Sequence, residues 1–328
     1  MALTLVEYVK LVDDPLKKAF ILNLLRYSDL IGIFPFKPVE GLQVGGTRWQ
    51  TLPSVAFRKI GGSYTESTGT TEDIFETLAI LGGDVHIDRV LAGGRGMIQD
   101  PLQTQMDMKA KAVAFQFNDS VVNGDHAVDP DAFQGLKKRV SGMPARMTID
   151  LSPGAGDSLK VLAGSAQEHS FIDAVHQAVK FVDGATHIFV NETTYLGFGQ
   201  IARRLNLYQQ IVDALGRTWD GISSGKQKIP YIDVGLKSDK TTEIITNTED
   251  PGDGGNDSTS LYVCRVDSTD GLHGLEIEGK GMEVYDPTNG GEDPTAPRFI
   301  RRIDWPVGLF NLSQYCIARV KGFKMAAA

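Results

Sequence analysis

The sequence has little of what catalysis, metal binding or membrane insertion would need. Only two cysteines, Cys264 and Cys316, occur in 328 residues. They stand at no metal-ligand spacing, and a bridge between them is disfavoured in a reducing cytosol, so both read as apolar packing residues. The six histidines, His86, His126, His169, His176, His187 and His273, include no HExxH pattern and no pair at metal spacing, and read as surface or structural groups. No GxSxG elbow or recognisable cysteine-nucleophile motif is present. No stretch approaches the roughly 18 uninterrupted apolar residues that a membrane span requires. Residues 1–18 lack the basic-then-apolar order of a signal peptide. No internal repeat is visible. These absences leave no ground for an enzyme, a bound metal, a cofactor or a membrane partner.

What is present is an ordinary globular composition, 41% hydrophobic and 23% charged, with 36 glycines clustered between apolar runs as turn-rich β structure requires. The net charge of −8 is unevenly spread. Residues 233–293 hold 15 acidic and 4 basic side chains, a net of −11, so the remainder is +3. The acidic stretch reads as a solvated, repelling surface and not a nucleic-acid site. Residues 298–324 hold six basic side chains and one acidic. They read as a solvated strand face with Arg and Lys stems on apolar neighbours; a weak contact with nucleic acid or an acidic neighbouring subunit is the alternative.

The most informative segment is residues 100–122. Asp100 can cap, Pro101 fits the first helical position, and Leu102, Met106, Ala110, Val113, Phe117 and Val121 recur at helical steps. Twenty-three residues at about 1.5 Å each make a rod roughly 34 Å long. Asn123-Gly124 reads as a left-handed stop. Upstream, Thr4 to Glu7 has capping-box spacing and Asp14-Pro15 starts a second short helix. Both helices need a partner surface. Residues 42–90 change character: Thr47, Trp49, Thr51, Val55 and Phe57, then Ile74, Phe75, Thr77, Leu78 and Ile80, are strand formers around a polar tip at residues 61–69. Such a two-stranded arm cannot bury itself and makes sense if a neighbouring molecule covers it. After the rod, a β-rich passage is expected to about Leu162. A helix capped by Ser170 and Asp173 and ended by Gly184 follows, then a strand at residues 187–190 and a helix at 194–205. Short strands among turns fill 229–295, and two closing strands lie at 298–310 and 314–322.

Three near-motifs fail on spacing. Gly197-Phe198-Gly199-Gln200-Ile201-Ala202 matches a relaxed dinucleotide fingerprint, but it sits six residues beyond its strand and no acidic ribose ligand follows. Residues 221–227 resemble a phosphate loop that is one residue short and ends in Gln227 where a hydroxyl is needed. Residues 250–257 offer oxygen ligands for calcium without the required alternation or distal Glu.

The order of hairpin arm, long rod helix, Val121-Val122-Asn123-Gly124-Asp125 and then Phe133-Gln134-Gly135-Leu136 resembles the major capsid proteins of tailed bacteriophages, the Hong Kong 97-type fold. The resemblance spans essentially the whole chain. It implies an α+β fold with an N-terminal arm (1–41), an extended β-hairpin loop (42–90), a spine helix and peripheral domain (91–182), an axial domain (183–295), and a return to the peripheral domain with the C-terminal tail (296–328). It implies a virion protein, assembled in host cytoplasm, whose copies form the hexamers and pentamers of an icosahedral head around double-stranded DNA that they touch weakly and without sequence preference. With the arm starting at Met1, no scaffolding domain is expected within the chain. A portal, a decoration protein, and either a separate scaffolding protein or assembly without one are implied. Trp49, Phe57, Arg58, Lys59, Gly61, Gly62 and Tyr64 in the loop, with Phe20 and Tyr27 in the arm, are the expected inter-subunit contacts. An encapsulin, a bacterial shell of the same fold that houses enzymes, is the alternative. A nucleotide-binding enzyme built on residues 197–202 is a distant third.

Overall fold

A computed structural model of the chain describes residues 15–92, 101–154, 157–205, 209–212, 218–224, 227–250, 257–286 and 292–326. The expected first arm helix, the Asp100 cap and most of the acidic loop at 250–257 lie outside the described residues. Helices α1 (Pro15–Tyr27) and α2 (Asp29–Ile33) open the described chain. Ser28 caps α2, accepting a 3.2 Å bond from Ile31 N–H. Strands β1 (Phe36–Val39), β2 (Gln43–Thr51), β3 (Thr70–Thr77) and β4 (Ala79–Asp88) follow, then one turn of helix, α3 (Arg89–Ala92), and the rod helix α4 (Pro101–Asn123). Helix α5 (Leu136–Ser141), β5 (Thr148–Asp150), β6 (Leu159–Lys160), α6 (Ser165–Phe181), β7 (His187–Val190) and α7 (Glu192–Arg204) come next. The remainder is β8 (Gln209–Val212), β9 (Thr218–Ser224), β10 (Gln227–Asp233), β11 (Thr259–Cys264), β12 (Leu272–Ile277), β13 (Glu283–Tyr285), β14 (Arg298–Asn311) and β15 (Ile317–Lys324).

Several boundaries differ from expectation for identifiable reasons. Among the described residues, the passage after the rod is mostly turns around α5, with only the short β5 and β6 as strands. Helix α6 starts five residues before Ser170, because Glu168 in its first turn is buried and meets Arg204 of α7 at 2.5 Å. Helix α7 starts at Glu192, where Asn191 supplies a cap: its side-chain oxygen accepts a 2.9 Å bond from Thr194 N–H. Gly184 does adopt the left-handed backbone, at φ 80°.

The rod lies against a five-stranded sheet in which β14 is central, pairing with β4 on one edge and with β12 and β13 on the other, while β1 extends it beside β12. Its expected stripe is the buried one: Met106, Ala110, Val113, Phe117 and Val121 are all in the core. At the centre the Phe117 ring lies 5.1 Å from Trp305 of β14, 6.2 Å from Phe36 of β1 and 6.0 Å from Phe133, with Phe36 and Trp305 themselves 5.6 Å apart. Burying each such ring contributes roughly 2–3 kcal/mol, and tilted pairs at these distances add about 1 kcal/mol. Asn118, one residue on, binds the arm to this core: its Oδ1 accepts from Ser28 Oγ at 2.6 Å. Its amide donates to Val234 O at 3.3 Å.

The Asn-Gly-Asp turn does not work as a left-handed stop, since Gly124 is not among the residues with positive φ. The chain instead crosses itself here. Gly135 N–H donates to Gly124 O at 2.8 Å. A methyl group on Gly135 would lie 2.7 Å from both Gly124 N and Ser120 O, and one on Gly124 would meet the Phe133 and Ser120 carbonyls. The two glycines of the motif are therefore required by close backbone approach.

An eight-stranded sheet, in the order β5-β15-β11-β7-β10-β9-β8 with β6 beside β15, carries a second core. Helix α6 packs on it through Phe171, 4.8 Å from Phe323 and 5.1 Å from Phe198. The dinucleotide-like residues fall inside α7, where Phe198 and Ile201 are buried and Gly197 admits the Met325 side chain. That geometry is a packed helix turn, not a cofactor turn. Gly221 to Ser224 belong to β9, and Gln227 opens its hairpin partner β10, so the phosphate-loop pattern is a β-hairpin. Cys264 and Cys316 are buried free thiols.

The basic tail is not a free cationic face. Each of its six cations meets a carboxylate: Arg298 with Asp293, Arg301 with Asp286, Arg302 with Asp84, Arg319 with Glu249, Lys321 with Asp150 and Lys324 with Asp257. Four of those partners come from the acidic stretch, so much of the charge asymmetry read along the sequence cancels in space. Burial pushes the Glu249 carboxyl up, but Arg319 at 2.7 Å and Lys137 at 3.0 Å outweigh it and hold it below its usual value. Asp233 behaves oppositely. Desolvation, helped by Glu192, Glu243 and Asp29, raises it to about 6 against a bond from Gly235 N–H.

Gly135→Ala should cost about 2–3 kcal/mol in urea denaturation through backbone overlap. For Glu249, whose folded pKa is below the unfolded value near 4.3, stability is present above that pH and is lost as pH falls. For Asp233, whose folded pKa is the higher one, ionisation at neutral pH costs stability, and the cost fades as pH falls from about 6 toward 4. Asp233→Asn should therefore stabilise the subunit at pH 8 by on the order of 2 kcal/mol, with the gain shrinking by pH 4.5.

Candidate assembly interface

Strands β2 and β3 pair only with each other among the described residues, so both outer edges of this hairpin lack a ladder. Its rungs are polar and local. Thr47 Oγ1 donates to Asp73 at 2.8 Å, Arg48 pairs with Glu72 at 2.8 Å, and the Thr51 and Thr70 hydroxyls meet at 2.6 Å. A two-stranded ladder of this kind is marginal by itself, and its stability comes from the root. There Val44 packs on a small core of Leu78, Leu275, Phe310 and Leu312. Gly46 lets the strand settle on that core, since a methyl group there would stand 2.8 Å from Phe310 and 3.0 Å from Leu312. Arg139 of α5 clamps the same root. It bonds Glu76 of β3 at 2.7 Å, Asn311 Oδ1 at 2.8 Å, Leu309 O at 2.8 Å and Gln134 O at 2.9 Å, with its side chain only 6% exposed.

Beyond Thr51 the ladder stops. Pro53 removes a donor, and residues 52–69 form a tip held by Ser54 N–H to Ser67 Oγ at 2.8 Å and a turn in which Gly62 N–H reaches Lys59 O at 3.0 Å. Gly61 takes φ 84° in that turn, a backbone that favours glycine. Val55 and Phe57, expected in a strand, are outside it. The tip buries almost nothing: Val55 is 95% exposed, Phe57 107% and Ile60 105%. Arg58 lies over the Tyr64 ring at 5.2 Å and donates to Gly62 O at 3.2 Å. Exposed apolar groups gathered on one projection mark a surface made for a partner.

Of the residues expected at contacts between subunits, Trp49, Phe57, Arg58, Lys59, Gly61, Gly62 and Tyr64 share this exposed hairpin. Tyr27 does not join them. It is partly buried on its own rod, with Lys111 Nζ 4.8 Å from its ring. Phe20 lies within α1, and its side chain is outside the described residues. The expectation omitted Leu52, Val55 and Ile60, whose signal was apolar character within a stretch too polar to bury them. It also omitted Gly46 and Arg139, which act only through long-range contact. Between Trp49 to Leu52 and the opposing Asp183, Arg265, Asp270 and Tyr315 runs a cleft of about 570 Å³. No group of His, Cys, Asp or Glu able to hold a metal occurs among the described residues.

Residues 47–151, which include most of the hairpin and the whole rod, match the family model of Major capsid protein GP7. No curated protein sequence matches the chain. Among solved structures, the holo-SrpI encapsulin complex from Synechococcus elongatus is similar at 14% identity over 90% of this chain and 87% of that one, with a TM-score of 0.59. The capsid of the native GTA particle aligns at 14% identity over 91% of each chain, TM-score 0.57. The Mycobacterium phage Bobi structure aligns at 12% identity over 91% of this chain and 89% of that one, TM-score 0.53. The fold is the Hong Kong 97-like capsid fold.

Removing Arg139 leaves Glu76 nearly buried without its cation. Arg139→Ala should lower unfolding stability by about 3 kcal/mol in urea denaturation, well beyond the typical cost of an exposed ion pair.

Proposed function

We propose that this chain, with its Hong Kong 97-like fold and its match to Major capsid protein GP7, is the major capsid protein of a tailed bacteriophage. Its copies tile, as hexamers and pentamers, an icosahedral shell around packaged double-stranded DNA. The observation that carries the reading is the exposed apolar tip on a hairpin clamped at its root. A monomer gains nothing from Phe57, Ile60 and Val55 in water, whereas a lattice of copies buries them at every repeat. Repeated modest contacts then sum to a stable closed shell.

In this reading residues 1–41 form the arm, 42–90 the extended loop, 91–182 the spine and peripheral region, 183–295 the axial region and 296–328 the return and tail. Within the loop, residues 43–77 do the reaching, because β4 is tied into the body sheet. The role is structural. The virion is its site of action, host cytoplasm its site of assembly, and a portal, a separate scaffolding protein and a decoration protein are its partners besides itself. Pairing of the tail cations with carboxylates leaves little free positive charge there, which suits a wall touching DNA weakly. An encapsulin is the second reading, favoured by the similarity to the Synechococcus elongatus shell. Cargo separates the two: nuclease-protected DNA for a phage head, an enzyme for an encapsulin.

Negative-stain images of the purified chain should show closed shells. Deleting residues 62–69 should leave a soluble, folded subunit that forms none. Normal shells from that deletion would sink the idea.

A further inference from the structure

Among the described residues, the hairpin tip carries cations without acidic partners, and acids without ion-pair partners stand at and beside a cleft at the hairpin root. Arg58 rests on Tyr64 and a carbonyl, and Lys59 has no ion-pair partner among the described residues. The cleft, about 700 Å³, lies at the hairpin root and is lined by Thr77, Leu78, Ala79, Ile80, His126, Pro130, Asp131 and Ala132. Ile80 is 65% exposed there. Asp131 lines it and exposed Asp129 stands two residues before; neither makes an ion pair among the described residues, while nearby Asp125 is already held by Lys138 at 3.1 Å. Apolar surface and opposite charge thus occur on both partners, the combination that steers association and sets register.

The tip cannot fill the cleft of its own chain. Thr70 and Thr77 bound strand β3, with the tip beyond one end and the cleft at the other. Seven steps at about 3.4 Å hold them roughly 24 Å apart while the ladder stands. We infer that the cleft is the receptor for the hairpin tip of a second copy. Phe57 and Ile60 lie on Ala79 and Ile80 there, and Arg58 and Lys59 face Asp129 and Asp131. This rests on the shell-forming reading and adds to it the specific receptor.

The test exchanges the charges in the full chain. Arg58→Glu with Lys59→Glu should reduce shell yield about tenfold or more, and so should Asp129→Lys with Asp131→Lys, each by setting like charges together. Combining all four should restore yield. Circular dichroism checks that each variant is folded, sedimentation checks that the two singly reversed pairs are monomers, and Asp129→Asn with Asp131→Asn controls for the turn. In wild-type shells from mixed isotope-labelled and unlabelled copies, carbodiimide should join Lys59 of one copy to Asp129 or Asp131 of another. Shells in which Lys59 joins other sites, or exchanges that assemble normally or are not rescued together, overturn this receptor and leave the shell reading intact. A wild-type chain that never assembles overturns both.

Discussion

The contact between Phe117 on the rod helix and Trp305 on β14 is the constraint on which the rest depends. Strand β14 organises the five-stranded sheet, and the rod is the longest element able to lie along it. Their aromatic core also takes in Phe36 and Phe133, so it fixes the chain before the hairpin and the turn after the rod at once. The arm helices join through Asn118 and Ser28. The hairpin root joins through β4, whose ten residues pair along β14, and through Arg139. Loosening this core would release the parts meant to reach outward.

That arrangement separates two kinds of burial. The body closes its own core and neutralises its own tail cations, which suits a subunit stable before assembly. The hairpin leaves its apolar tip in water. Its rungs are threonine, arginine and carboxylate pairs that keep it extended without needing a core. The free energy of covering Val55, Phe57 and Ile60 is therefore reserved for association. A rigid root makes the reach definite, and a definite reach lets one lattice geometry win over non-specific clumping.

Much of this was legible in residue order. The rod was visible because six apolar residues keep helical phase over its length, and that phase is a local property. The hairpin was visible from strand formers around a glycine-rich tip. Its strand ends were not, because Pro53 and the absence of neighbours decide them. Ser170 misled as a cap because buried Glu168 finds Arg204 across from α7. The basic tail misled because pairing through space is invisible to a count of charges along the chain. Gly124 and Gly135 were noticed as a motif, but their reason is a chain crossing that no local rule describes.

The sequence by itself determined the class of the molecule: rod, hairpin and closing strands in an order that resembles a capsid subunit, with no catalytic or metal motif. These follow from periodicity, turn chemistry and composition, which act over a few residues at a time. Only the tertiary structure decided which cations stay unpaired, where the hairpin is clamped and which cleft lies beyond reach of its own tip. Those depend on distances between residues far apart in sequence, and such distances exist only once the rod has packed on β14.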